Sequence, residues 1–309
     1  MARFVVLVND GAGSVAAEDR AGEQASIEEA FAGTGVEVEV SMVRPDRLAA
    51  TMRQIWSDPG RPDAIVVAGG DGTVNAAAGA AVGTDLVLGV LPLGTFNHFA
   101  KDLGIPTDLA DAAAALAERR ERQVDVGEVN GRVFVNNSAL GVYPEMVAVR
   151  DRLREERGWG KVRAVPVAVW HVARSFPVHR LVLSSDDSPA LSGGRPLRTP
   201  FVFVGNGSYA DGPGGPANRT ALDTGQLEVM VAGVRSRWGL VRAVLGALVA
   251  DPDEVRDLHR HDLVDLRIEG RASRVRVALD GEICWLDLPL RYRSRPGSLR
   301  VLVGPEAAS

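Results

Sequence analysis

Short apolar runs alternate with segments of helical period over roughly the first 125 positions. Residues 4–8 (Phe-Val-Val-Leu-Val) predict a strand, 17–31 a helix rich in Ala and Glu, and 36–40 an alternating second strand. Residues 47–56 are amphipathic at helical spacing, 64–68 form a third apolar run, 74–81 an Ala-rich helix, and 86–91 a fourth strand. Residues 96–103 and 108–121 then read as helices. Strands alternating with helices predict a parallel α/β sheet, whose ligands sit beyond the carboxyl ends of its strands.

The texture changes after Gln123. Short β-type runs take over at 124–129, 132–135, 180–183, 201–204, 226–231, 263–269, 274–279, 282–288 and 299–303. Gly, Pro, Asn and Ser punctuate them, and helical patterns persist only near 144–176 and 237–249. The expectation is an N-terminal parallel α/β nucleotide-binding domain over residues 1–123. A C-terminal antiparallel β-sandwich domain follows over 124–309, with a last strand near 297–304 that returns to the first domain.

Composition narrows the partners. A net charge of -5 argues against a general nucleic-acid binder, which carries a basic footprint. Cys284 is the single cysteine, which excludes an intrachain disulfide and predicts a reducing, cytoplasmic setting. No run approaches eighteen apolar residues, so contact with a membrane is expected to be peripheral at most.

Three glycine turns follow predicted strands. Gly69-Gly70-Asp71-Gly72-Thr73 leads into Val74-Asn75 and a helix; glycines there admit phosphate oxygens, and a helix N-terminus offers N–H groups to an anion. It is neither a Walker A loop nor a G-x-G-x-x-G fingerprint, and its acid would repel phosphate unless it handles a metal or a proton. The second turn, Pro92-Leu93-Gly94-Thr95-Phe96-Asn97-His98, read alone is a strand end with Thr95 as helix cap. At a neighbouring strand end, Thr95 instead offers its hydroxyl to phosphate and Asn97 braces the loop. The third turn, Asn9-Asp10-Gly11-Ala12-Gly13-Ser14, completes a three-sided cradle. Far along the chain, Asp280-Gly281-Glu282 is a hairpin signal between alternating runs, and it can also carry a carboxylate that takes a proton from a hydroxyl.

Together these residues resemble the diacylglycerol kinase catalytic-domain family, and within it the bacterial lipid kinases related to sphingosine and ceramide kinases. Supporting segments are Asn136-Asn137-Ser138-Ala139-Leu140-Gly141-Val142-Tyr143, Gly205-Asn206-Gly207-Ser208-Tyr209 and Leu222-Asp223-Thr224-Gly225-Gln226-Leu227. The resemblance covers nearly the whole chain in order; the first loop alone is shared with NAD kinases and phosphofructokinases. It implies a NAD kinase/diacylglycerol kinase-like fold with the active site in a cleft between two domains, ATP and Mg²⁺ as cofactors, and a diacylglycerol-like lipid presented at a membrane surface. It implies ATP contacts from Asn9, Asp10, Gly11, Ala12, Gly13, Gly69, Gly70, Asp71, Gly72, Thr73, Val74, Asn75, Gly94, Thr95 and Asn97. Glu282, with Asp280 close behind, is implied as the base, and Asp71 as holder of the nucleotide's Mg²⁺ or orienter of the attacking hydroxyl. The chain departs from the pattern at Asp10, where the family has Pro, and at His98 and Thr224, where it has Asp; Asp223 is left as the candidate for a structural Mg²⁺. The alternatives are a soluble-substrate kinase of the NAD-kinase type and a non-catalytic nucleotide- or lipid-binding module. The identity of the lipid and the oligomeric state leave no readable mark; a homodimer stays open.

Two further features read more plainly. His259 and His261 share a predicted strand face with Asp265 but lack a fourth ligand, so a solvated face is favoured over zinc. Residues 150–163 mix basic residues and Trp159 with acids, which reads as a charged helix rather than a membrane contact.

Overall fold

The computed structural model describes residues 1–10, 17–141, 179–212, 215–232 and 258–308. The helical patterns predicted near 144–176 and 237–249 lie outside them, as does the 150–163 segment. The chain divides into two compact units: Met1–Val126 with Val133–Val135 and Arg295–Ser309, and Gly127–Arg132 with Asn136–Ser294.

In the first unit the order is β1 (Ala2–Asn9), α1 (Ala17–Phe31), β2 (Val36–Val43), α2 (Leu48–Ser57), β3 (Ala64–Gly69), α3 (Asp71–Ala81), β4 (Val87–Pro92), α4 (His98–Asp102) and α5 (Leu109–Ala117). β1 lies between β2 and β3, all parallel, and β3 pairs in parallel with β4. Every residue of β3 and β4 is buried, as expected of parallel strands covered on both faces. α1 packs against α5, and α2 against α3. The predicted helix at 108–121 is shorter: Asp108 caps α5 by accepting N–H bonds from Ala110 and Asp111, and Glu121 already opens the next strand.

That strand is β5 (Glu121–Val129), followed by β6 (Arg132–Phe134), β7 (Asn137–Gly141), β8 (His179–Ser184), β9 (Arg195–Thr199), β10 (Phe201–Asn206), β11 (Ser208–Gly212), β12 (Gly215–Ala221), β13 (Leu227–Ala232), β14 (Leu258–Leu263), β15 (Asp265–Gly270), β16 (Arg274–Leu279), β17 (Glu282–Asp287) and β18 (Leu290–Leu302). One layer of the second unit is antiparallel in the order β14-β13-β10-β7-β16-β17. The other sets β9 on β8, β8 on β15, and β15 on residues 290–293 of β18. A bond of 2.9 Å between the Ser138 hydroxyl and the Tyr292 phenol joins the layers in a buried position. The second half of β18 belongs to the first unit, where Arg300 and Val301 pair in parallel with Val87 and Leu88 of β4.

The strand predicted at 263–269 is β15, from Asp265, whereas Leu263 ends a separate strand, β14, that the pattern did not predict. β14 and β15 part at Val264 and enter different layers, so His259 and His261 do not share a strand face with Asp265. His259-Arg260-His261-Asp262 carries no apolar alternation, which hides β14 from a pattern reading. No helix among the described residues is long and apolar enough to cross a membrane.

Candidate active site

Parallel register brings the predicted turns to one edge of the first unit. Val8 is level with Ala68, and Gly69 with Pro92, so the ends of β1, β3 and β4 are neighbours. Helix α3 starts at Asp71, three residues before the predicted start at 74; Asp71, Gly72 and Thr73 are therefore its first turn and not a loop. Gly70 precedes it in extended conformation with no side chain capping the helix. The first-turn N–H groups are thus left to whatever binds there.

Two glycines are required by contact. A β-carbon on Gly69 would lie 2.7 Å from the Thr73 hydroxyl oxygen. One on Gly94 would lie 2.5 Å from the Gly70 α-carbon and 2.7 Å from Asn97 Oδ1. The first two turns therefore meet backbone to backbone, and Leu93 N–H donates to the Gly69 carbonyl at 3.2 Å.

Side chains lock this arrangement. Asn97, buried and left-handed at φ 52°, accepts from Gly94 N–H at 3.0 Å and donates through Nδ2 to the Gly94 carbonyl at 2.8 Å. Asn tolerates that backbone better than most residues. Asp71 Oδ1 accepts the His98 N–H at 2.9 Å, which ties the first turn of α3 to that of α4. Asn9 Nδ2 donates to Thr73 Oγ1 at 2.7 Å, so the buried Thr73 hydroxyl joins the end of β1 to α3. Because Oγ1 accepts that bond, Thr73 keeps two donors, its hydroxyl O–H and its backbone N–H. Thr95 is exposed; Asp71, Asn75, Gly94 and Asp10 are partly so, and Val74 is buried. Gly11, Ala12 and Gly13 lie outside the described residues. Phe96, 51% exposed, stacks parallel to His98 at 5.7 Å beside Thr95, an aromatic pair the glycine pattern did not flag.

In the second unit, Asp280 and Gly281 turn β16 into β17 with φ of 47° and 86°, the signature of a two-residue hairpin. Asp280 is buried; its Oδ1 accepts N–H bonds from Asn136 at 2.8 Å and Asn137 at 2.9 Å, and its own N–H donates to the Asn137 carbonyl. This carboxylate braces the turn against the start of β7. Glu282 is exposed at the head of β17. Asn136 also gathers the other supporting segments: its carbonyl accepts the Tyr209 phenol at 2.7 Å and the Asn206 N–H at 2.9 Å, and its side-chain oxygen accepts from Arg219 at 3.1 Å. Glu228, buried, accepts the Tyr209 N–H at 2.7 Å and pairs with Arg260 at 3.1 Å. Sequence reading missed Arg219 and Glu228, because nothing in their local pattern marks them as buried.

Asp223 is exposed, and Thr224 Oγ1 closes a local turn by accepting the Gln226 N–H at 3.2 Å. Among the described residues no three His, Cys, Asp or Glu side chains gather as a metal site. A nucleotide-borne Mg²⁺ needs only one or two carboxylates beside the phosphates, a demand Asp71 fits. His259 and His261 instead line a gap with Leu183, Leu191, Leu197, Val231 and Arg195. Burial, then the charges of His259 and Arg195, hold the His261 imidazole below its ordinary range.

The family model "Diacylglycerol kinase catalytic domain" matches residues 3–129. A Pseudomonas aeruginosa protein named probable lipid kinase YegS-like is 32% identical over 241 residues, 77% of this chain and 75% of that protein. A diacylglycerol kinase of Bacillus subtilis is 41% identical over 87 residues, 27% of this chain and 29% of its own length. A YegS-like relative from Klebsiella pneumoniae is 42% identical over 81 residues, which again spans only 27% of that protein. The crystal structure of a diacylglycerol kinase from Bacillus anthracis superposes with a TM-score of 0.66 over 99% of this chain and 98% of the other; at 20% identity this shows the fold.

Proposed function

The chain belongs to the diacylglycerol kinase catalytic-domain family, and on that premise we propose that it is an ATP-dependent lipid kinase. It transfers the γ-phosphoryl group to the hydroxyl of a diacylglycerol-like lipid. The observation that supports this reading most is the backbone contact of Gly70 with Gly94, which sets two N–H-bearing turns side by side where phosphate oxygens need donors.

In the proposed reaction the lipid oxygen bonds to the γ-phosphorus as the bond to the β,γ-bridging oxygen breaks. ADP leaves, and Glu282 takes the hydroxyl proton. Glu282 suits the task better than Asp280, whose oxygen already holds two backbone N–H groups. First-turn N–H groups of α3 and the exposed Thr95 hydroxyl orient the phosphates, and Asp71 is the carboxylate that would hold Mg²⁺. Bound with the nucleotide, Mg²⁺ supplies charge neutralisation at the phosphoryl oxygens. Asp71 also holds His98 N–H, so it ties metal handling to the geometry of the second turn. The lipid is met at a membrane surface from a peripheral, cytoplasmic position.

The test is transfer from radiolabelled ATP to a total lipid extract and, in a parallel reaction, to NAD, with the product identified by mass spectrometry. A labelled phospholipid is expected. Label on NAD and none on lipid would give the NAD-kinase reading. ATP binding by calorimetry with no transfer to any acceptor would leave a non-catalytic module.

A further inference from the structure

β17 is the outermost strand of its six-stranded layer, and it carries Trp285 with 53% of its surface exposed. Register pairs Arg276 with Trp285, Arg274 with Asp287 and Ala278 with Ile283. Because alternate residues face opposite sides of a sheet, Arg274, Arg276, Ile283, Trp285 and Asp287 share one face. Val275, Val277, Leu279 and Leu286 are buried and occupy the other. Two guanidinium groups lie over the one indole, Arg276 at 5.1 Å and Arg274 at 5.6 Å from its centre. The exposed Arg271 extends the basic end of the hairpin.

An exposed tryptophan on a sheet edge invites association. Here it is coupled to two guanidinium groups lying over the ring, that of the exposed Arg274 and that of the half-buried Arg276. An amphipathic ring with adjacent cations is the combination that settles at a bilayer's headgroup level, where each basic residue is attracted by anionic lipid. We infer that this face of the β16–β17 hairpin docks on the surface of a bilayer containing anionic phospholipid. Charge selects that occupant: Arg271, Arg274 and Arg276 outnumber Asp287 at this end of the hairpin, an excess that an anionic surface complements. With a net charge of -5, the chain as a whole is not drawn to such a surface. Attachment is therefore local, and screened within about a Debye length.

The inference rests on the lipid-kinase reading for its purpose. Glu282 is three residues along the strand from Trp285, roughly 10 Å; paired with Leu279, it lies on the opposite face. Docking through the Trp285 face therefore brings the hairpin turn near the lipid surface and leaves the proposed base outside the bilayer contact.

The experiment is cosedimentation of the full chain, without ATP, with vesicles of phosphatidylcholine alone or mixed with phosphatidylglycerol. Wild type is expected to bind the anionic vesicles, and less so as salt rises. Trp285→Ala should lower the partition coefficient on the order of tenfold. Arg274→Gln with Arg276→Gln should lower it about fivefold per guanidinium. Circular dichroism melts identify any variant that has failed to fold, in which case Trp285→Tyr, expected to bind between wild type and Ala, replaces it. Folded variants that partition like wild type would overturn the proposal. So would a Trp285→Ala change in self-association with unchanged vesicle binding. Phosphorylation of a short-chain diacylglycerol dissolved as monomers separates the two readings. Wild type and Trp285→Ala should turn it over equally. Absence of any lipid phosphorylation with Trp285-dependent vesicle binding would sink the kinase reading and leave the docking face standing.

Discussion

Replacing Gly94 by Ala tests whether the two glycine turns must touch for ATP to be held. The added β-carbon would lie 2.5 Å from the Gly70 α-carbon, whereas ordinary contact begins at 3.4 Å, so the turns must part by the difference, roughly 0.9 Å. The obstacle is backbone, which cannot swing away as a side-chain tip can. Overpacking of this kind costs about 1–3 kcal/mol. At about 2–4 °C per kcal/mol for a domain of this size, that lowers the melting temperature by roughly 2–12 °C. The catalytic cost is larger: a displacement of about 1 Å at a positioning element lowers the rate about 100-fold. ATP titration by calorimetry and steady-state lipid phosphorylation would read both effects. Gly79→Ala in the same helix is the control, since its β-carbon meets nothing within 4 Å. It should stabilise by about 0.5–1 kcal/mol and leave kinetics unchanged. Wild-type ATP affinity and turnover in Gly94→Ala would refute the reasoning.

Three other outcomes are expected. Glu282→Gln should melt like wild type, because the side chain is exposed, and lose about 10²–10⁴-fold in turnover; undiminished turnover at saturating lipid removes Glu282 from the role. Asp280→Ala should destabilise by about 2–4 kcal/mol, since two backbone N–H groups lose their acceptor, whereas Asp280→Asn, which keeps an oxygen there, should lose less than half as much in urea unfolding. Burial holds the Tyr292 phenol well above the usual value of about 10, against the opposing bond to Ser138. The unfolded chain therefore releases that proton first, so the stabilisation is complete below pH 10 and declines above it by about 1.4 kcal/mol per pH unit. Tyr292→Phe should flatten that part of the difference in stability between the two proteins, and an unchanged alkaline slope would show that the phenol does not carry it.

The strand–helix alternation of the first unit was legible because both periods are strong there; β3 and β4 are uninterrupted apolar runs, as buried parallel strands must be. The start of α3 was misplaced because glycines at 69, 70 and 72 read as loop, whereas only Gly70 lies outside a regular element. Asp280 was readable as a hairpin residue from its neighbours, but its brace was not, since the N–H groups it holds are 143 and 144 positions away. The same distance hides the acids that anchor β18. Asp125, almost fully buried, accepts the Gly297 N–H at 2.8 Å, and Glu128 pairs with Arg293 at 2.7 Å. Local pattern reports which face of an element is apolar; it does not report which remote backbone group a charge will meet.

The second half of β18 has a consequence for the order of events during synthesis. Residues 300 and 301 pair with β4, so the sheet that carries the glycine turns is not finished by the stretch that encodes those turns. Until translation passes Leu302, the apolar flank of β4 has no partner on that side, the kind of unpaired edge that recruits foreign strands. The sheet that carries the glycine turns is thus encoded early and closed late, by pairing at the start of β4, the end remote from Gly69 and Gly94. A partially made chain therefore carries an unpaired β4 edge until its last strand arrives.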